Sequence, residues 1–251
     1  MRVIGGWTTC KRSKLNEGDR LKRILVLCLA VLMMAGCAKE EKTVNRAVFA
    51  WEGVEEADKQ LLENYRIDTI FMDINHYSSI PGYNIYLLAG DPSWGLEDVE
   101  HVVEEAEKKR ADGVLFDIEG DYETLASDLS ILESDLPIYV CMPFWLDEDV
   151  QEKIIQEVDG VVVMNYSKGN ERLNIQKTIE TAEKYGKVIL TAYELQPVGE
   201  YGLEEYNTYH DDGLDAVEKN YEEQFGGTDV GIAFHNLNMM RKLNPAGIEG
   251  K

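Results

Sequence analysis

Residues 84–119 read NIYLLAGDPSWGLEDVEHVVEEAEKKRADGVLFDIE. An apolar run of strand length, NIYLLAG (84–90), leads into a segment with Leu96, Val99, Val102, Val103 and Ala106 on one helical stripe. A second apolar run, GVLFDIE (113–119), follows it. A 3.6-residue period buries one face of a helix, and the basic residues at its end suit the negative pole of the helix dipole. Two strands joined by a crossover helix form a parallel pair, so this unit predicts a βαβ element.

The pattern repeats on both sides of it. Further strand-like runs are AVFAW (47–51), DTIFMDI (68–74), PIYVCMPFW (137–145), GVVVMNYS (160–167), KVILTAYEL (187–195) and VGIAFHNLN (230–238), which brings the total to eight. Helical segments are YETLASDLSILES, DEDVQEKIIQEV, ERLNIQKTIETAEKYG and LDAVEKNYEEQFGG, two of them closed by glycine. The link NHYSSIPGYN between the second and third strands is too short for an ordinary helix. Eight strands alternating with helices predict an α/β fold, a compact (β/α)8 TIM barrel over residues 46–245 without a large insertion domain. An open doubly wound sheet would place a glycine-rich phosphate turn after the first strand, where AWEGVEEAD stands instead.

The N-terminal region reads differently. Lys22 and Arg23 precede the apolar run ILVLCLAVLMMAG, and Cys37 follows with the polar AKEEK. A basic region, a short apolar stretch and small residues before a cleavage point form a secretory signal. Met34-Ala35-Gly36-Cys37 resembles the lipobox of bacterial lipoproteins, with Met where Leu is usual. The resemblance implies lipidation of Cys37, a leader over 1–36 with Leu21 as the expected translation start, a tether over 37–45 and a tail over 246–251. The expected location is the cell envelope, extracytoplasmic, with membrane attachment through the lipid on Cys37.

The net charge of −22 repels nucleic acid and anionic headgroups. Removal of a leader holding seven basic and two acidic residues deepens it. Of the four cysteines, Cys10 and Cys28 lie in the leader and Cys37 is the lipid site, which leaves Cys141 and no disulfide framework. His76, His101, His210 and His235 show no ligand spacing, so neither a metal nor another cofactor is expected. A monomer is expected.

In a barrel of this kind the active site lies at the C-terminal ends of the strands. Here those ends carry Trp51 and Glu52, Asp73, Asp117 and Glu119, Trp145, Asn165 and Tyr166, Tyr193 and Glu194, and His235 and Asn236. Carboxylates among Trp and Tyr suit a neutral sugar, since aromatic faces stack on pyranose rings. Trp51, Asp73, Trp145, Asn165, Tyr193, Glu194 and His235 are therefore candidate substrate-binding residues. Strand alternation puts Leu115, Asp117 and Glu119 on one face.

The run from Asp112 to Glu119 resembles the strand 4 signature of glycoside hydrolase family 18, the chitinases and chitobiose-cleaving endoglycosidases: Asp-Gly, then two inward Asp and a Glu at alternate positions. Leu115 stands where the family has its first inward Asp. Met164 and Tyr166 match the family's Met-x-Tyr-Asp ending, with Ser167 in place of Asp, and His235 stands near the family's strand 8 Trp. The resemblance implies substrate-assisted cleavage of N-acetylglucosamine-containing glycans. Glu119 would be the general acid, Asp117 would orient the substrate's N-acetyl group and Tyr166 would bond its carbonyl oxygen. Adjacent like charges raise one carboxyl's pKa, which would keep Glu119 protonated. The departures at 115 and 167 imply slower turnover, a shifted pH optimum or no activity at all.

Two other functions fit the same residues. A two-carboxylate retaining glycosidase would use Glu119 with Glu194, provided the seventh strand turns Glu194, Ala192 and Leu190 inward; its parity stays open. A non-catalytic glycan-binding lipoprotein would keep the barrel and lose the chemistry. The loop at 196–213, rich in tyrosine, is long enough to border a shallow site but not to form a domain.

Overall fold

The computed structural model describes residues 45–244. The expected leader, Cys37 and the tail lie outside the described residues. Eight parallel strands close into a barrel in chain order: β1 (Arg46–Ala50), β2 (Thr69–Asp73), β3 (Asn84–Ala89), β4 (Gly113–Phe116), β5 (Ile138–Pro143), β6 (Gly160–Met164), β7 (Val188–Glu194) and β8 (Val230–His235). Closure is made by β1 pairing with β8, Ala47 opposite Ala233.

The outer layer comprises α1 (Lys59–Asn64), α2 (Leu96–Lys109), α3 (Tyr122–Leu129), α4 (Glu148–Glu157), α5 (Glu171–Asn174), α6 (Gln176–Tyr185), α7 (Leu214–Phe225) and α8 (Leu237–Leu243). No helix lies between β2 and β3, as the short link requires. On α2 the buried residues are Val99, Val102, Val103 and Ala106, with Leu96 only half-buried. Asp121 starts α3 by accepting from the backbone N–H groups of Glu123 and Thr124.

Strands β4, β6 and β8 stop short of the sequence runs. Asp117 still donates its backbone N–H to the Ala89 carbonyl, but the ladder ends there. The Ser167 N–H turns back onto the Asn165 carbonyl. At β8 the expected continuation to 238 is helix instead, because the Asn236 side chain caps α8 by accepting from the Met239 N–H. The His235–Asn236 peptide is cis. Two helical segments are also shorter or broken: 130–134 is not helical, and 171–185 divides into α5 and α6 at Ile175.

The barrel interior is filled by Phe49, Phe71, Tyr86, Leu88, Leu115, Tyr139, Cys141, Val162, Leu190, Ala192 and Ala233. Two other apolar clusters lie between the sheet and its helices. Tyr86 and Tyr139 meet edge to face at 5.1 Å in the lower barrel. Gly113 and Gly160 make room for them: a Cβ at either position would lie 2.3 Å from a tyrosine ring carbon. Among the described residues no helix is long and apolar enough to cross a membrane.

Candidate active site

A cavity of about 1380 Å³ opens at the C-terminal ends of the strands. Asp117, Glu119, Tyr166, Glu194 and His235 all line it, together with Phe49, Trp51 and Trp145. Strand alternation continues past the end of β4. Leu115 fills the barrel interior, Asp117 and Glu119 reach the cavity, and Ile118 packs into the helix layer.

Close backbone packing holds this segment. A Cβ on Gly90 would stand 2.1 Å from the Asp117 carbonyl oxygen, and one on Gly120 would stand 2.8 Å from the Pro92 carbonyl oxygen. The loop after β3 thus lies directly on the loop after β4, which only glycine permits at these points. Gly90→Ala should therefore displace Asp117. Forced overpacking of this kind costs about 1–3 kcal/mol, occasionally more. A denaturant titration checks the loss, and an unchanged midpoint would refute this account of the contact.

Asp117 Oδ1 is buried and has no hydrogen-bond partner among the described residues. Burial, and then the neighbouring Glu119 charge, push the Asp117 carboxyl up to about 6, while His235 and the Cys141 thiol pull it back. Asp117 lies deeper than the exposed Glu119. A carboxyl with a raised native pKa binds its proton more tightly when folded. Its contribution is then fully present below pH ~4 and is lost as pH rises through about 6. Asp117→Asn should stabilise the protein above pH 6, by up to ~3 kcal/mol if the whole shift is recovered, and flatten stability between pH 4 and 6. Chemical denaturation across pH reads this directly, and an equal slope in both proteins would contradict it.

Glu194 is turned inward, which settles the parity of β7. Its Oε1 accepts from the backbone N–H groups of Leu195 at 2.8 Å and Gln196 at 2.7 Å, and its Oε2 lies 2.8 Å from His235 Nδ1. The His235 ring stacks on Tyr166 with centroids 6.1 Å apart and meets Phe49 edge-on at 5.1 Å. Burial, followed by the Glu194 and Asp117 charges, holds the Tyr166 phenol well above its ordinary pKa. It is therefore a neutral O–H donor. The Tyr166 carbonyl accepts from Asn207 Nδ2 at 2.8 Å, and the Tyr206 carbonyl accepts from the Lys168 N–H, so the loop after β7 is fastened to the end of β6.

Three expected substrate-binding residues are elsewhere. Tyr193, adjacent to Glu194, faces the helix layer and donates its hydroxyl to Asn220. Asn165 is buried and holds the start of α5, donating to the Glu171 carbonyl and to Thr191. Asp73 accepts from the Asn75 N–H, pairs with His76 and lies outside the cavity lining. Trp51 lines the cavity and stacks against Phe49, and Trp145 lines it while remaining 71% exposed.

Tyr201 and Tyr206, on the tyrosine-rich loop expected to border the site, also line the cavity, while Arg241 on α8 and Cys141 on the cavity floor escaped the sequence reading. Cys141 reads as core from its apolar run, and it is buried; only the fold sets it against Asp117. Among the described residues no group of three or more His, Cys, Asp or Glu side chains could hold a metal ion.

No family model matches this chain, and no curated protein matches it. Solved structures do. Tryptophan synthase from M. tuberculosis aligns with a TM-score of 0.49 and 10% identity over 92% of this chain and 99% of that one. Phosphoribosyl anthranilate isomerase from Thermococcus kodakaraensis gives 0.44 and 11% over 83% and 100%. A citrate lyase from Burkholderia xenovorans LB400 gives 0.48 and 10% over 84% and 78%. Likenesses this distant carry no argument about chemistry. The (β/α)8 TIM barrel is established by the strand pairing itself.

Proposed function

We propose that this protein is a glycoside hydrolase that cleaves β-linked N-acetylglucosamine-containing glycans with the help of the substrate's own N-acetyl group. The observation that carries the reading is the partnerless, buried Oδ1 of Asp117, set beside Glu119 and Tyr166 in one cavity. A buried acceptor without a partner is costly, and a substrate N–H satisfies it.

In this reading Glu119 gives its proton to the glycosidic oxygen as the bond to the anomeric carbon breaks. The acetamido carbonyl oxygen attacks that carbon and forms a cyclic oxazolinium ion. Asp117 accepts the acetamido N–H and balances the positive charge, while Tyr166 donates to the carbonyl oxygen and aligns it. Water then opens the ring, with Glu119 taking its proton, and the configuration is retained.

The lining suits a saccharide. Trp145, Tyr201 and Tyr206 are large exposed apolar side chains, and all three border this cavity. The two-carboxylate alternative is disfavoured because both oxygens of Glu194 are already engaged. The expected extracytoplasmic, lipid-anchored address would present the site to envelope or external glycans.

The test is hydrolysis of N-acetylglucosamine oligomers and of a chitobiose-core N-glycan, followed by product analysis. Release of shorter oligomers with retained configuration supports the reading. No turnover, with the same glycans bound in calorimetry, would replace it with the glycan-binding lipoprotein, which the apolar Leu115 in the barrel interior favours.

A further inference from the structure

We infer that the Glu194–His235 pair is the positioning element of this site, an imidazole locked by a carboxylate beside Asp117, whose buried Oδ1 has no partner among the described residues. The inference rests on the proposed hydrolase reading for its purpose, but its geometry is independent of it.

Glu194 is 4% exposed and cannot rotate away, since two backbone N–H groups hold Oε1 while His235 holds Oε2. The imidazole is equally fixed, between the Tyr166 face and the Phe49 edge. With Nδ1 on Glu194, the opposite nitrogen, Nε2, has no partner among the described residues and belongs to a side chain that lines the cavity. The titratable groups acting on His235 are Glu194 on β7 and Asp117 and Glu119 after β4; Tyr166 after β6 lies against its ring. Asp117 is acted on by Glu119, His235 and Cys141.

Burial pulls the imidazole toward its neutral form. The Glu194 hydrogen bond, then the Glu194, Asp117 and Glu119 charges, outweigh burial and raise its pKa above the ordinary histidine value. When His235 carries its second proton, it cancels the Glu194 charge. Asp117 is then spared a second bare carboxylate, and its negative charge remains for a cationic intermediate.

The test follows the Asp117 carboxyl by ¹³C NMR titration of the full chain, with the resonance assigned by its loss in Asp117→Asn. His235→Gln should raise the Asp117 midpoint by about one pH unit, because a nearby opposite charge is gone and Glu194 is left bare. The double variant Glu194→Gln/His235→Gln should return it to the wild-type value. A side chain that merely filled space would leave the midpoint unmoved or the double variant as displaced as the single one, and either result overturns the inference.

Should His235→Gln fail to fold, the His235 imidazole decides. Its midpoint must lie above the ordinary histidine value in the wild type and fall in Glu194→Gln; an ordinary or lower midpoint overturns the pair. The acidic limb of kcat/KM should move with the Asp117 midpoint. Absence of glycan turnover combined with the expected titrations would sink the hydrolase reading and leave the charge pair standing.

Discussion

Glu119→Gln should reduce hydrolysis of N-acetylglucosamine oligomers by about 10²- to 10⁴-fold, the range expected when a general acid is removed. Gln has the shape of Glu but no carboxyl proton to give, so the leaving oxygen departs as a poor anion. The effect should fall on kcat with KM nearly unchanged, because the lost interaction exists in the transition state and not in the bound substrate. Glu119 is exposed at the cavity, so its replacement should alter stability by no more than about 0.5 kcal/mol. Thermal melts beside the kinetics separate the two effects. Equal rates for the variant and the parent would remove Glu119 as the acid and the family 18-like mechanism with it.

Arg241→Met should be the most destabilising of the substitutions considered. Arg241 on α8 donates Nε and Nη2 to the two oxygens of Asp58, and Nη2 also reaches the Gly53 carbonyl. Asp58 is 1% exposed. This arrangement ties the last helix of the barrel to the loop that follows its first strand. Without Arg241, Asp58 keeps the Glu55 N–H on Oδ2 but has no countercharge, and such losses cost about 3–5 kcal/mol. For a domain of this size that corresponds to a fall in Tm of roughly 6–20 °C. Asp58→Asn/Arg241→Met should recover part of it, since the uncompensated charge is gone. A melt of Arg241→Met within a degree of the parent would show that Asp58 finds other solvation.

Much of this architecture is legible in the chain. The eight apolar runs appear as the eight strands, in the same order and with the same helix missing between β2 and β3. The face shared by Asp117 and Glu119 follows from strand alternation alone, and both line the cavity. The strand ends were less legible, because a run stays apolar where the ladder stops. Asn236 belongs to an apolar-looking stretch, yet its side chain is satisfied as a helix cap.

Parity was the deeper limit. In a parallel barrel both faces of a strand are buried, so the sequence of β7 is apolar on each side and does not mark which side is the interior. A shift of one residue exchanges Glu194 for Tyr193, and with it a cavity carboxylate for a residue bonded to Asn220 in the helix layer. The same ambiguity separates Tyr166 from Asn165 at the end of β6. Gly90 gives no hint in one dimension that it lies against Asp117, since that contact joins loops 27 positions apart.

The sequence by itself therefore determined the closed eight-stranded barrel, the end at which its site lies and the paired carboxylates after β4, because periodicity and alternation are local properties of a chain. Only the tertiary structure decided that Asp117 is the deeper carboxyl of the pair and that His235 is bound to Glu194. Burial and hydrogen bonding depend on what neighbouring strands bring to the same point in space.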